Sequence, residues 1–133
     1  MSYAIETHQL HKQFSGGVNA LNGLDMSVAA GSVYGLIGRN GAGKATAMRL
    51  LAGILNPSQG HYHILGVNMR KAGPAEHANY AYVSPAQQLP RWSSVARLGS
   101  MLSSFYPNWD EACLKTLCTH FSIDPLRPVH LCS

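Results

Sequence analysis

A glycine-rich loop is the feature that most constrains what this chain can fold into. Residues 38–44 have the spacing G-x-x-x-x-G-K, and the apolar run 33–37 directly before them is typical of a strand covered on both faces. After the loop, apolar residues recur at helical spacing over 47–55, which predicts a helix ending near Asn56-Pro57. The order of strand, glycine loop and helix predicts an α/β core organised around this loop.

The loop has the composition that phosphate binding requires. Glycines let the backbone coil so that successive N–H groups point at an anion, and the following helix directs its positive end to the same place. Lys44 adds a flexible cation that can reach the β- and γ-phosphates of a nucleotide. A dinucleotide-binding fingerprint is excluded, because Thr46 stands where a third glycine is needed. The candidate phosphate-binding residues are Gly38, Arg39, Asn40, Gly41, Ala42, Gly43, Lys44, Ala45 and Thr46.

One position departs from the phosphate-loop pattern. The residue after the lysine is normally Ser or Thr, whose hydroxyl binds the Mg²⁺ between the β- and γ-phosphates, but here it is Ala45. Thr46 has a hydroxyl, yet one further helical residue turns the side chain by about 100°. The sequence therefore predicts that Mg²⁺ coordination, and with it phosphoryl chemistry, is weakened. No residue is assigned as a metal ligand or as catalytic.

Composition narrows the function classes further. The chain has 133 residues, of which 46% are hydrophobic and 12% charged, within the range of an ordinary globular domain. The net charge of +4 comes from scattered bases and few acids, so we expect no nucleic-acid partner. No apolar run is long enough for a membrane helix and no secretory signal is visible, which makes the cytoplasm the expected compartment. Three cysteines, an odd number, are expected to be reduced thiols.

The remaining pattern predicts strands before and after the loop. Alternation predicts strands at 4–10, 24–28 and 61–66, and a short apolar run predicts another at 80–83. In the third of these, Tyr62 and Ile64 share one face while His61 and His63 share the other. The histidine pair raises the question of a metal site. With no third ligand nearby in sequence, a solvent-facing strand surface is the favoured interpretation.

From Ser94 onward the apolar spacing becomes helical. Ser94 is the expected N-cap of a first helix, and Asn108, with Glu111 three residues later, of a second. Cys118 lies on the apolar stripe of the second helix, so packing explains it. We therefore divide the chain into a nucleotide-binding core, 1–92, and the start of a helical subdomain, 93–133.

With the loop identified, its surroundings resemble the nucleotide-binding domain of ABC transporters. The similar positions are the run 50–55, then Pro57 and Gly60, then a strand ending in Leu65-Gly66. The resemblance implies a P-loop NTPase core, a mixed sheet with a central P-loop strand and helix, followed by the start of an α-helical subdomain. Upstream, Phe14 would be the ring that stacks on adenine, the alternative being a core aromatic.

The resemblance also implies partners. ATP would bind at the loop, and a membrane-spanning transporter subunit would dock through the Q-loop and the helical subdomain. The candidate Q-loop residue is Gln87, although a solvated loop glutamine is an equal alternative. A dimer with another nucleotide-binding domain is implied as well, as is a cytoplasmic position at the inner face of the membrane.

The family's remaining motifs are missing from this sequence. The chain stops at Ser133, where a signature motif would begin, and it has neither an apolar run ending in the Walker B acid nor a catalytic glutamate. The resemblance thus predicts an incomplete domain that is inactive alone. Two functions stay open: the ATP-binding part of an ABC transporter ATPase, or a degenerate or truncated module that binds nucleotide or a partner without hydrolysis.

Overall fold

The computed structural model describes residues 2–85 and 89–132 of the chain. They belong to two compact units, Met1–Ala81 and Tyr82–Ser133, and the domain division after residue 92 stays a prediction. The elements in chain order are β1 Tyr3–Gln13, β2 Asn19–Ala29, α1 Lys44–Leu51, β3 Gln59–Ile64, β4 Val67–Asn68, α2 Pro74–His77, α3 Val95–Ser103, α4 Glu111–His120 and a 3₁₀ turn Val129–Leu131.

The strands of the first unit form one antiparallel sheet in the order β2-β1-β3-β4. The strands predicted at 4–10, 24–28 and 61–66 are confirmed as β1, β2 and β3. One sheet face is apolar and carries the core, to which α1 contributes Leu50 and Leu51. The cluster of buried side chains is Leu10, Met26, Val28, Leu50, Leu51, Tyr62, Ile64 and Met69.

A bulge in β1 sets the local geometry of the sheet. Gln9 has a φ of 44°, and the register of β1 with β3 shifts between His8 and His11. The Gln9 N–H donates to the Asp25 carboxylate on β2 at 2.6 Å, a bond that holds the pKa of Asp25 below its usual range. Because of the bulge, both Thr7 and Leu10 are buried although they are three residues apart.

Two predicted strands are wrong. Residues 33–37 and 80–83 are not strands, and neither segment pairs with the sheet in the described part of the chain. Val33 and Ile37 are 104% and 94% exposed. A run that is apolar on both faces suits a strand only where neighbours pair with it and layers cover it. The described residues of this unit form an antiparallel sheet in which residues 33–37 take no part.

The helix after the glycine loop begins earlier and ends earlier than its apolar pattern predicts. It starts at Lys44 and its last residue is Leu51. Gly53 follows with a φ of 71°, a left-handed conformation typical of the residue that terminates a helix. Ile54, which the pattern placed on the helix, is 59% exposed beyond its end.

Both predicted helices of the second unit are present. Ser94 caps α3 as expected, its hydroxyl accepting a hydrogen bond from the Arg97 N–H. The cap of α4 is a correction: it is Asp110, whose carboxylate accepts from the Cys113 N–H at 2.9 Å, and not Asn108. The carboxylate of the residue immediately before the helix reaches this donor directly, whereas Asn108 lies in the preceding turn. Cys118 is buried, as its place on the apolar stripe predicts.

The helices of the described segments are short. None is long and apolar enough to cross a membrane.

Candidate functional site

The glycine loop forms a turn that leads directly into α1. The Ala42 N–H donates to the Arg39 carbonyl at 3.1 Å, which closes the turn. Gly41 and Gly43 have φ values of 82° and 86°, in the left-handed region that favours glycine. Gly43 is the N-cap of α1, and Lys44 is the first helical residue. Gly41 and Gly43 therefore stand where the backbone requires glycine, whereas Gly38 does not have a left-handed φ.

The end of the loop packs tightly against the start of β2. A Cβ placed on Gly43 would lie 2.2 Å from the Ala20 carbonyl oxygen and 3.0 Å from Leu21 Cδ2. No side chain fits in that space, so the contact is made by bare backbone. The motif predicts a glycine at this position for the turn, but the contact with Ala20 follows only from the fold.

Lys44 returns over the loop that precedes it. Its ammonium donates to the carbonyl oxygens of Gly38 and Arg39, the second at 2.8 Å. The two acceptors precede the lysine by six and five positions in the chain, so the ammonium lies on the loop itself. A cation held there is available to an anion bound in the same loop.

The partial positive charge at the N-terminus of α1 is not offset by a side chain of the helix. The cap is a glycine with no side-chain hydrogen bond, and the first turn contains no acidic residue. The amide donors of that turn are therefore not neutralised by a side chain of their own helix. Ala47, Leu50 and Leu51 are buried and anchor the helix to the core. This arrangement can hold an anion through main-chain N–H groups and one lysine.

The residue after Lys44 differs from the hydroxyl-bearing Mg²⁺ ligand of the motif. Ala45 is exposed and has a methyl group where the motif expects a hydroxyl ligand. Thr46 is half-buried one residue further along the helix. Position 45 therefore offers no oxygen ligand to a metal ion, while main-chain N–H groups and Lys44 remain as possible donors to an anion.

Phe14 lies at the end of the β1–β2 hairpin. The paired residues Gln13 and Asn19 close this end, next to the Ala20 that contacts the loop. The Phe14 ring is 38% exposed, with the Lys12 ammonium 5.3 Å from its centroid. This exposure argues against the alternative in which Phe14 is an ordinary core aromatic.

The predicted site residues thus fall into three groups. Residues 38–46 form one continuous loop and helix start, and Phe14 lies at the hairpin end that borders it. Gln87 lies outside the described residues. A cavity of about 390 Å³ near Gly53 and Tyr62, which the sequence analysis did not predict, is lined by none of the loop residues.

Comparison with known proteins identifies relatives among transport ATP-binding proteins. The chain is 38% identical over 90 residues to the autoinducer 2 import ATP-binding protein LsrA of Enterobacter sp. (strain 638), a match that covers 67% of this chain and 18% of that protein. It is 49% identical over 63 residues to the daunorubicin/doxorubicin resistance ATP-binding protein DrrA of Streptomyces peucetius, covering 47% of this chain and 19% of the relative. The chain thus spans about a fifth of the length of these relatives.

Two solved structures share the fold. One is an ATP-binding subunit of an ABC transporter, with a TM-score of 0.72 at 24% identity over 82% of this chain and 45% of that one. The other is cbiO1 of Clostridium perfringens, part of the ABC transporter complex cbiONQ, with a TM-score of 0.64 at 21% identity over 100% of this chain and 57% of that one. The predicted α/β P-loop NTPase class is therefore confirmed.

The ABC transporter family model matches residues 21–131, which include the loop, α1 and both helices of the second unit. The chain therefore belongs to the ABC transporter family.

Proposed function

We propose that this chain is the ATP-binding part of an ABC transporter ATPase, and that residues 38–46 hold the phosphates of ATP. The relatives carry the words ATP-binding protein in their names, and the loop has the geometry that anion binding needs. Phe14, exposed at the neighbouring hairpin end, supplies an aromatic face on which adenine can stack.

One observation carries this proposal: the Lys44 ammonium lies on the loop at the N-terminus of α1, whose cap residue makes no side-chain hydrogen bond. The lysine, the amide donors of the first turn and the glycine turn all belong to one continuous segment. A triphosphate would exchange the lysine's carbonyl partners for phosphate oxygens, which are stronger acceptors because they are charged.

The same proposal extends to partners and place. A membrane-spanning transporter subunit would dock through the Q-loop at Gln87 and through the helical segment 93–133. A second nucleotide-binding domain would complete an ATP-bridged dimer. These contacts would hold the chain in the cytoplasm at the inner face of the membrane. These proposed partners and this location are supported by the family membership of the chain and by its relatives, which are import and resistance ATP-binding proteins.

Removing the lysine tests phosphate binding directly. Lys44→Ala is expected to weaken ATP binding by about 10- to 100-fold, since a charge-assisted hydrogen bond contributes about 1.5–3 kcal/mol. The measurement is isothermal titration of the full chain with ATP, repeated with inorganic tripolyphosphate, which lacks the base. Both ligands should lose affinity in the variant.

The matched control for this titration is Lys71→Ala. Lys71 is an exposed lysine of the same unit, so its removal makes the same change in net charge away from the loop. We expect ATP affinity to stay within about twofold of the unmodified chain. Equal losses in the two variants, or no loss in Lys44→Ala, would refute phosphate binding at residues 38–46.

The alternative function, nucleotide binding without hydrolysis, is favoured by Ala45. Its methyl group supplies no oxygen to a metal, so ATP affinity should depend little on Mg²⁺. Ala45→Ser restores the hydroxyl, and we expect Mg²⁺ to strengthen ATP binding by about tenfold or more in that variant only. Titrations with Mg²⁺ and with EDTA measure the difference. The same Mg²⁺ dependence in both proteins would show that Ala45 does not limit metal binding.

A further inference from the structure

Three histidines from two neighbouring strands meet on the outer face of the sheet. His61 and His63 alternate along β3, and His8 on β1 pairs directly with His61. The ring centroids are 4.8 Å apart for His8 and His61, 5.5 Å for His61 and His63, and 6.3 Å for His8 and His63. Strand pairing thus supplies a third imidazole, from a residue distant in sequence from the other two.

The buried face of the sheet holds this trio in place. Thr7, Tyr62 and Ile64 alternate with the histidines and are 2%, 3% and 7% exposed. A slip of one residue between β1 and β3 would bring these side chains into water and turn the imidazoles inward. The register that places His8 opposite His61 is therefore fixed by the hydrophobic core.

The ring nitrogens are close to the separation that a metal ion needs. One nitrogen from each histidine lies within 4.8 Å of the others. Tetrahedral zinc with bonds of about 2.0–2.1 Å places its ligand atoms about 3.3 Å apart. His8 and His61 are exposed and His63 is half-buried, so rotation of the side chains can close this difference without moving the strands.

We propose that His8, His61 and His63 form a binding site for one divalent transition-metal ion, with zinc as the first candidate. Imidazole nitrogens are ligands that suit Zn²⁺, Cu²⁺ and Ni²⁺, and three of them leave the fourth tetrahedral position to water or an external ligand. Glu6 pairs with His63 across the strands, and a negative charge on the same sheet face would favour a cation there. The site shares no residue with the phosphate loop.

Zinc titration of the metal-stripped full chain tests the site. We expect one Zn²⁺ per chain by calorimetry, and a loss of at least about tenfold in affinity in each of His8→Ala, His61→Ala and His63→Ala. Removing a residue that only hydrogen-bonds to a metal ligand already weakens metal binding by about 10- to 100-fold, so removing a ligand itself should cost at least as much. The side chains lie on the outer sheet face, and circular dichroism of each variant checks that the sheet is intact.

His11→Ala is the matched control, because His11 is on the same strand and outside the trio. Its zinc affinity should equal that of the unmodified chain. Ring-selective NMR should show zinc-induced shifts at His8, His61 and His63 and at no other histidine. Equal affinities in His8→Ala and His11→Ala, shifts at other histidines instead, or binding that depends on cysteine would each overturn the proposal.

Discussion

Replacing Gly43 by alanine is expected to destabilise the first unit by about 3 kcal/mol or more and to abolish nucleotide binding. A left-handed residue with a Cβ costs about 1–2 kcal/mol, and overpacking adds about 1–3 kcal/mol. The new Cβ would stand 2.2 Å from the Ala20 carbonyl oxygen, so either the loop or β2 must move. Urea unfolding followed by circular dichroism measures the stability, and ATP titration measures the binding.

Gly41→Ala separates backbone strain from the close contact. Gly41 has nearly the same φ, 82° against 86° for Gly43, but nothing lies within 4 Å of a Cβ placed on it. Its replacement should cost only the strain of the left-handed conformation, about 1–2 kcal/mol. If the two variants unfold at the same urea concentration, the contact between the loop and β2 is not a determinant of stability.

Gly60→Ala is the second substitution with a large expected effect. Gly60 has a φ of 80°, and its Cβ would lie 2.0 Å from the carbonyl oxygen of Gln9, the bulged residue of β1. The new Cβ would clash with main-chain atoms, which cannot rotate away as a side chain can. The pairing of β1 with β3 must therefore open locally. We expect a loss of about 3 kcal/mol or more, a large fraction of the roughly 5–15 kcal/mol that stabilises an ordinary domain. Urea unfolding and amide exchange in β3 measure it.

Gly66→Ala provides the comparison for this substitution. Gly66 lies in the two-residue turn between β3 and β4 with a φ of 79°, and a Cβ there meets nothing within 4 Å. Its replacement should cost about 1–2 kcal/mol. A Gly60→Ala protein as stable as the Gly66→Ala protein would mean that β1 and β3 adapt easily at the bulge.

Local patterns predicted the parts of this fold that depend on neighbours in sequence. Alternation located β1, β2 and β3 because one face of each contributes to a buried core, and the Ser94 hydroxyl predicted the start of α3. The Asp110 cap was missed because Asn108 and Glu111 imitate a capping box, while the decisive bond is made by the residue next to the helix.

Residues 33–37 show what local patterns cannot decide. Their apolar run is a strand pattern, but pairing depends on partners distant in sequence, and in residues 2–85 the sheet is completed without them. The same limit applies to the histidines. His61 and His63 were grouped by their spacing, whereas His8 joins them only through the register of β1 with β3.

For the site, the motif identified the loop residues because their backbone requirements are local. Gly43 and Lys44 are in the places that the spacing predicts. The packing of Gly43 against Ala20 is a tertiary contact, which no spacing contains. The bonds from Lys44 to the carbonyls of Gly38 and Arg39 are local, but they depend on how the loop coils. The departure at Ala45 was readable in the sequence because the Mg²⁺ ligand is a single side chain at a fixed offset.

The segment 33–37 combines exposed apolar side chains with a lack of charge. It contains no proline, and no charged residue stands between Asp25 and Arg39 to interrupt it. Val33, Tyr34 and Ile37 are exposed, and uncharged apolar windows of this kind tend to pair with another copy of themselves. Encounters between two molecules increase with the square of concentration, so we expect dilute protein to stay monomeric longest. Arg39 is the first charged residue after the segment and would oppose its association by charge repulsion. We therefore expect self-association at high concentration to involve the segment that directly precedes the glycine loop.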